Sequence, residues 1–178
     1  MGEAKKHPPV KLVVGMISGR KPLFDAAQRE LMAQFGPLDY ESALMPWELT
    51  DYYSRELGEN LGRKFLGFER LIDPERLAEI KLFTNQLEGQ FSEGGARRIN
   101  LDPGYLDSTK LVLATTKNRD HRIYIGQGVF AEVTLHFRGK SFQASEWTYP
   151  DYATPEYIAI FNQIRALYRQ QMSSEGSA

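Results

Sequence analysis

The stretch that decides the predicted fold is residues 123–137, which read IYIGQGVFAEVTLHF. In this stretch one parity is almost entirely apolar, and it comprises Ile123, Ile125, Val129, Ala131, Val133, Leu135 and Phe137. A period of two is typical of a strand with one buried face. We therefore predict one long, bent strand, in which Gly126 and Gly128 mark a bend rather than a hairpin turn.

Composition limits the classes of function that fit the chain. It has 178 residues, of which 42% are hydrophobic, enough for one domain with a substantial core. The formal net charge of −1 argues against binding of nucleic acid or anionic lipid through bulk charge. Because there is no cysteine, disulfides, thiolate metal sites and cysteine nucleophiles are excluded. Apolar runs are too short for a membrane span or a signal-peptide core, so we expect a cytoplasmic protein.

Helices and further strands surround the long strand. Proline at a first helical position and apolar residues at helical spacing predict helices over 22–35, 73–90 and from 155 onward. Short apolar or alternating runs predict extended segments at 11–17, 38–49, 64–72, 99–101, 111–116 and 141–149. Asp102, Pro103 and Gly104 are expected to form a type II turn.

This order of elements predicts an α+β protein. Its core is expected to be ferredoxin-like (split βαβ), with an antiparallel sheet that is extended by a C-terminal β-meander and a last helix. A single domain is predicted over residues 10–172. Residues 1–9 are expected to form a flexible leader, and residues 173–178 a disordered tail.

Six segments resemble those of a bacterial family catalogued only as a domain of unknown function. They are residues 50–53 (TDYY), 100–105 (NLDPGY), 110–118 (KLVLATTKN), 121–125 (HRIYI), 129–135 (VFAEVTL) and 146–152 (EWTYPDY). The resemblance extends from Val10 to about Arg169. Some members of that family carry the label GTP-binding protein, so the resemblance implies nucleotide binding as one expectation and supplies no catalytic residue.

A nucleotide site of the P-loop type requires a glycine-rich loop, then Lys, then a Ser or Thr hydroxyl for magnesium. The nearest segment, residues 15–22, reads GMISGRKP, with too few residues between its glycines and proline where the hydroxyl is needed. We interpret it as an ordinary strand-to-helix loop. The alternative is a weaker anion site at the start of the helix.

Basic side chains cluster in the connector that precedes the long strand. The predicted ligand-binding residues are Lys117, Arg119, Arg122, Arg97 and Tyr124. Guanidinium and ammonium groups gathered in this way can hold a phosphate or a carboxylate. The alternative interpretation is a solvated, highly charged hairpin tip.

Four further residues are candidates for proton transfer or for orientation of a ligand: His121, Glu132, His136 and Asp102. The alternative is that His136 is a polar residue on a solvated sheet face. We expect Arg122 and Glu132 to lie at the surface, where replacement by Gln changes stability by less than about half a kcal/mol. Side chains four apart on a strand stand about 13 Å from each other, so Glu132 and His136 cannot bind one metal without partners from other strands. No histidine pair has helical ligand spacing, and no metal site is predicted.

Three functions compete. The first is binding of a nucleotide or another anionic small ligand at the basic connector and the polar strand face. The second is a non-catalytic interaction or regulatory domain that uses the aromatic residues Trp147, Tyr149, Tyr152, Tyr52 and Tyr53. RNA binding through an open sheet face is the third, and the near-neutral charge disfavours it. The sequence specifies no cofactor, and it leaves open the oligomeric state and whether the protein is an enzyme.

Overall fold

The computed structural model describes residues 2–47, 57 and 59–175. Three α-helices lie in this described part of the chain: α1 (Lys21–Phe35), α2 (Leu77–Gln90) and α3 (Pro155–Glu175). The strands are β1 (Val10–Ser18), β2 (Leu38–Glu41), β3 (Met45–Pro46), β4 (Gly62–Ile72), β5 (Asn100–Leu106), β6 (Lys110–Thr115), β7 (Ile123–Gly126), β8 (Val129–Arg138) and β9 (Ser141–Ala144). No helix within the described ranges is long and apolar enough to cross a membrane.

All nine strands belong to one antiparallel sheet. The order along it is β2-β4-β1-β5-β6-β8-β7, with β3 also paired to β4 and β9 to β8. The prediction of an α+β protein built on a large antiparallel sheet is therefore confirmed.

The helices cover opposite faces of the sheet. On one face α1 and α2 pack over β1, β4 and β5, with Leu31, Leu87 and Leu66 in their shared core. On the other face α3 packs over β4, β6 and β8, and Phe161 and Phe65 lie at that core. The sheet is thus the middle layer of three, and a group between two strands can reach either face.

The prediction of one long strand over residues 123–137 is wrong. The chain turns back on itself, because Gly126, Gln127 and Gly128 all have positive φ angles, of 101°, 55° and 76°. Ile123 consequently pairs with Ala131 in a β7–β8 hairpin. The alternation of apolar and polar residues has the same parity before and after residues 126–128. This alternation alone therefore cannot distinguish a hairpin turn from a bend within one strand.

The predicted buried face of this region is confirmed only at Val129 and Leu135 and is wrong at Ile123, Ile125 and Val133. In the β6–β8 ladder Leu111 pairs with Leu135 but Val112 pairs with Val133, so Thr134 is an extra residue in β8. Such a bulge moves the residues on either side of it to opposite faces. Ile123 is 74% exposed on the edge strand, whereas Glu132 is only 3% exposed.

The predicted turn at residues 102–104 is likewise wrong, since β5 runs straight through Pro103 and Gly104. Glycine is required at position 104 because β6 lies very close to it, and not because of a positive φ angle. A Cβ atom at this position would lie 2.3 Å from the carbonyl oxygen of Val112, on β6. Pairing of β5 with β6 begins at Gly104, directly after the residue that lacks a backbone donor.

The helix predictions are confirmed in their main features. α1 buries Ala27, Leu31 and Phe35. The helix predicted at 73–90 starts with a 3₁₀ turn, Pro74–Arg76, in front of α2. α3 begins at Pro155 and continues to Glu175, past the predicted start of the tail. Residues 50–53, with Tyr52 and Tyr53, lie outside the described residues.

Leu87 tests the packing of α2 on the sheet. Its side chain is 2% exposed in the core beneath α1 and α2. Leu87→Ala should lower the free energy of unfolding by about 2 to 5 kcal/mol through cavity formation. Chemical denaturation measures this, with the exposed neighbour Gln86→Ala as the control. A loss below about half a kcal/mol for Leu87→Ala would show that this face of α2 is not packed on the sheet.

Candidate functional site

A cleft opens in the sheet where β5 and β6 separate. Residues 104–106 of β5 pair with residues 111–113 of β6, and no further pair joins these two strands. β5 continues along β1 as far as Asn100, while β6 continues along β8 as far as Thr115. The diverging ends enclose a cavity of about 430 Å³. This volume lies within the range of small-molecule sites.

The cleft is accessible to groups from both faces of the sheet. Leu113 belongs to the core under α3, and the next residue, Ala114, belongs to the core under α2. Lys81 and Asn85 of α2 therefore line the cavity together with residues that follow β9. Six described basic residues line it: Arg63, Lys81, Arg97, Lys117, Arg119 and Arg122. Three acidic ones do so as well: Asp102, Glu132 and Asp151.

Arg63 forms the floor on the α3 side and is fully buried. Its Nη2 donates to the Tyr152 hydroxyl at 2.5 Å, and its Nη1 lies 3.3 Å from Asp102 Oδ2. The guanidinium stands 4.6 Å from the ring centroid of Phe65. Gly15 of β1 leaves the room, because a Cβ there would lie 2.9 Å from Arg63 Nη2.

The electrostatics of this floor are strongly coupled. Burial alone would lower the pKa of Arg63, but Tyr152, Asp102 and Asp151 hold it above its ordinary value. Burial raises the pKa of Tyr152 well above its usual range, against the attraction of Arg63. Burial likewise raises the pKa of Asp151. The floor thus keeps one arginine charged beside a carboxyl group that resists ionisation.

Arg122 links the connector between β6 and β7 to β8 and to the segment after β9 through its hydrogen bonds. Its Nε donates to Glu132 Oε2 at 2.6 Å, Nη1 to the Lys117 carbonyl at 2.8 Å and Nη2 to the Tyr149 hydroxyl at 2.9 Å. Burial lowers the pKa of Arg122, but the hydrogen bonds to Glu132 and Tyr149 outweigh this and raise it. Each terminal of this guanidinium is engaged, so Arg122 positions the connector.

Polar side chains at the α2 end of the cleft have hydrogen-bonding capacity that is not used. Lys81 is 6% exposed and donates to the Leu101 carbonyl at 3.0 Å. Asn100 accepts from Arg97 at 3.1 Å, but its buried Nδ2 has no acceptor among the described residues. Glu88 accepts from Arg97 at 2.9 Å, and burial raises its pKa although Lys81 and Arg97 oppose the change.

The nine predicted site residues fall into two groups. Six of them line the cleft: Asp102, Glu132, Arg97, Lys117, Arg119 and Arg122. His121 lies beside it, with Nε2 3.2 Å from Glu132 Oε2 and its ring stacked on Trp147. His136 pairs with Lys110 beyond the bulge, and Tyr124 packs on Phe130 in the hairpin, so neither lines the cleft. Their functional roles stay predictions.

The expectation that Arg122 and Glu132 are surface residues is wrong. Their side chains are 3% and 1% exposed and form an ion pair. The bulge at Thr134 explains the burial of Glu132, because it places Glu132 and Thr134 in the interior, where the Thr134 hydroxyl donates to Glu132. Glu132 therefore lines the cleft, whereas His136, on the other side of the bulge, does not.

Among the lining residues that sequence reasoning missed, five are charged or carry a side-chain amide: Arg63, Lys81, Asn85, Asn100 and Asp151. One signal was present in α2. Lys81 and Glu88 lie on the same helical face as Ile80, Thr84 and Leu87, so two charges of opposite sign interrupt an otherwise buried stripe. Charged residues on a buried helical face call for partners. Nothing local marked Asp151, which lies in the turn before α3 and is 5% exposed.

Comparison with known protein families shows to which family this chain belongs. A family model described as a domain of unknown function (DUF4416) matches residues 8–168. The chain belongs to the DUF4416 family. Because the DUF4416 match includes every residue that lines the cleft, the site is part of the family domain and not of an added segment. No curated protein and no solved structure matches the chain.

Glu132→Gln tests the buried ion pair. The substitution removes the negative charge that faces Arg122, and the loss of one partner from a buried pair costs about 3 to 5 kcal/mol. We expect a loss of this size in the free energy of unfolding, measured by denaturant titration. The exposed Glu146→Gln is the matched control and should change stability by less than about half a kcal/mol. Equal values for the two variants would contradict the ion pair.

Asp151→Asn tests the raised pKa of this carboxyl group. A carboxyl whose pKa is higher in the folded than in the unfolded state stabilises below its ordinary pKa of 3.8, and that stability is lost as pH rises through the folded pKa. The amide does not ionise. Relative to wild type, the melting temperature of the variant should therefore rise between about pH 4 and pH 8. A difference independent of pH would contradict the shift.

Proposed function

We propose that the cleft between β5 and β6 binds a small anionic ligand, a nucleotide being one such ligand. The charge of the lining supports this, with six basic residues against three acidic ones in the described part of the chain. A cleft that is lined mainly by one sign of charge and has walls of low dielectric focuses the electric field, and this attracts ligands of the opposite charge.

The observation that carries the proposal is the unused donor capacity at the α2 end. An ammonium group has three donors, and the described residues provide Lys81 with one acceptor, the Leu101 carbonyl. The Nδ2 donor of Asn100 has none. A buried donor without an acceptor costs about 1 to 3 kcal/mol. An anion in the cleft would supply acceptors to both side chains.

The ion pairs around the cleft indicate where the surplus charge lies. Arg63 faces Asp102, and Arg122 faces Glu132. In contrast, no described carboxylate forms an ion pair with Lys81 or with Arg119. These two side chains are the best supported contacts for a ligand anion.

Lys81→Met tests this function because methionine keeps most of the volume and removes the charge. Inorganic phosphate, GTP and a dicarboxylate would be screened by thermal shift, where a ligand at a hundred times its dissociation constant adds about 2.7 kcal/mol. For any anion that stabilises the wild type, calorimetry should show at least about tenfold weaker binding to Lys81→Met, or 1.4 kcal/mol.

The exposed Lys140→Met is the control for this experiment and should bind like the wild type. Lys140 lies in the turn between β8 and β9, and it is not part of the cleft lining. Unchanged affinity of Lys81→Met would overturn the proposed site. Absence of binding by every anion would overturn the proposed function.

A protein-interaction domain is the second candidate, and the edge strand β7 favours it. β7 has a strand partner, β8, on one side, and Ile123 and Tyr124 are 74% and 60% exposed. An exposed apolar edge strand is a common place for association. Sedimentation of the wild type and of Ile123→Lys would detect self-association through this edge.

We also infer that the elements from β1 to β5 form a ferredoxin-like unit. The strand order β2-β4-β1-β5, with α1 and α2 on the same face, supports this topology. The cleft would then lie at the junction between that unit and the added strands β6 to β9.

A further inference from the structure

We propose that the ligand of this cleft is a phosphate ester that also carries a hydrogen-bond-donating group, with the phosphate at Lys81 and the donor at Asp102 and Asp151. This inference rests on the proposed anion-binding function and specifies the chemical class of the ligand. It follows from the unequal distribution of charge between the two sides of the cleft.

The α2 side of the cleft is positive. It carries Lys81 and Arg97, and the one described carboxylate in contact with them is Glu88, which pairs with Arg97. Arg119, in the connector between β6 and β7, also lines the cavity. The neighbouring carboxylate, Asp120, is bonded to the backbone amide and ring of His121 and not to Arg119. Lys81 and Arg119 therefore provide positive charge with which no described carboxylate forms an ion pair.

The α3 side has the opposite balance. Its two arginines, Arg63 and Arg122, face three carboxyl groups, those of Asp102, Glu132 and Asp151. Glu132 is occupied by Arg122, with an Nε to Oε2 distance of 2.6 Å. The excess of acceptors thus falls on the two aspartates.

Asp102 and Asp151 both have acceptor capacity toward the cleft. Asp102 is partly exposed and meets Arg63 through Oδ2 at 3.3 Å, a long contact for an ion pair. Asp151 is 5% exposed and forms no ion pair with any described residue. A ligand hydroxyl or ammonium group could donate to either, whereas a second anionic group would be repelled.

The size and lining of the cleft agree with a ligand that has a phosphate at one end and a hydrogen-bond donor at the other. Lys81 and Asp102 line the same cavity of about 430 Å³, a volume that accommodates a small molecule. Apolar side chains also line the cavity: Ile17, Leu113 and Ala114. A short carbon chain or ring between phosphate and donor would lie against these residues.

A matched series of phosphate esters tests the inference. The probes are ethyl phosphate, 2-hydroxyethyl phosphate and 2-aminoethyl phosphate, together with the corresponding butyl series to vary the reach. The three members of a series have nearly the same size and differ in the terminal group. In calorimetry with the wild type, the hydroxyl or amino ester should bind at least about tenfold tighter than the alkyl ester in at least one series.

Variants then assign each end of the ligand. Asp102→Ala combined with Asp151→Ala removes both carboxyl groups and should abolish the advantage of the hydroxyl or amino ester over the alkyl ester. Lys81→Met should weaken all members equally. Because Lys81 is buried and its replacement can unfold the chain, Arg119→Gln is the second variant on the phosphate side, with the exposed Arg138→Gln as its control. Arg119→Gln should weaken all esters, and Arg138→Gln none.

The failures of the two proposals are distinguishable. If alkyl phosphates bind as tightly as the hydroxyl and amino esters in both series, the inference about the ligand class is overturned, while anion binding stands. If the advantage of the donor group survives in the variant that combines Asp102→Ala with Asp151→Ala, its assignment to the aspartates is overturned. If neither the esters nor inorganic phosphate nor a dicarboxylate binds, the proposed function falls with it.

Discussion

The separation of β5 from β6 is the constraint on which the candidate site depends. At Gly104 the two strands approach so closely that a Cβ atom would collide with a backbone oxygen of β6. Immediately before it, Pro103 has no donor to offer a neighbouring strand. The two residues together bring the strands into contact on one side and let them diverge on the other. The divergence opens the middle layer of a three-layer protein, where side chains from both outer layers can meet.

Buried charged groups in this opening form ion pairs and hydrogen bonds with neighbouring side chains. Arg63 lies among aromatic rings with Asp102 and the Tyr152 hydroxyl as partners, and Arg122 is held by Glu132 and Tyr149. Burial of an ion costs several kcal/mol, and close partners recover most of that cost. Chains usually place such groups inside only where they are needed for structure or for function. In this fold the two arginines are held by protein groups, whereas Lys81 and Asn100 keep hydrogen-bond donors for which the described residues provide no acceptor.

The local patterns predicted much of the framework. α1, α2 and α3 follow from helical spacing, N-terminal prolines and a capping Thr154, whose Oγ1 accepts from the Tyr157 amide. Interactions within a few residues settle these features, so a linear pattern reveals them. The same patterns failed at residues 102–104 and 126–128. A Pro-Gly pair suits a turn and a tight strand contact equally well, and a glycine-rich segment suits a bend and a hairpin equally well.

The sequence by itself determined the α+β class, the positions of the helices and the presence of a basic connector with acidic and histidine neighbours. Only the tertiary structure decided which of these residues meet. The bulge at Thr134 moved Glu132 into the interior, and the packing of α2 and α3 brought Lys81 and Asp151 to one cavity. The physical reason is that periodicity records which side chains are apolar. Which face is buried depends on pairing partners that lie far away in the chain.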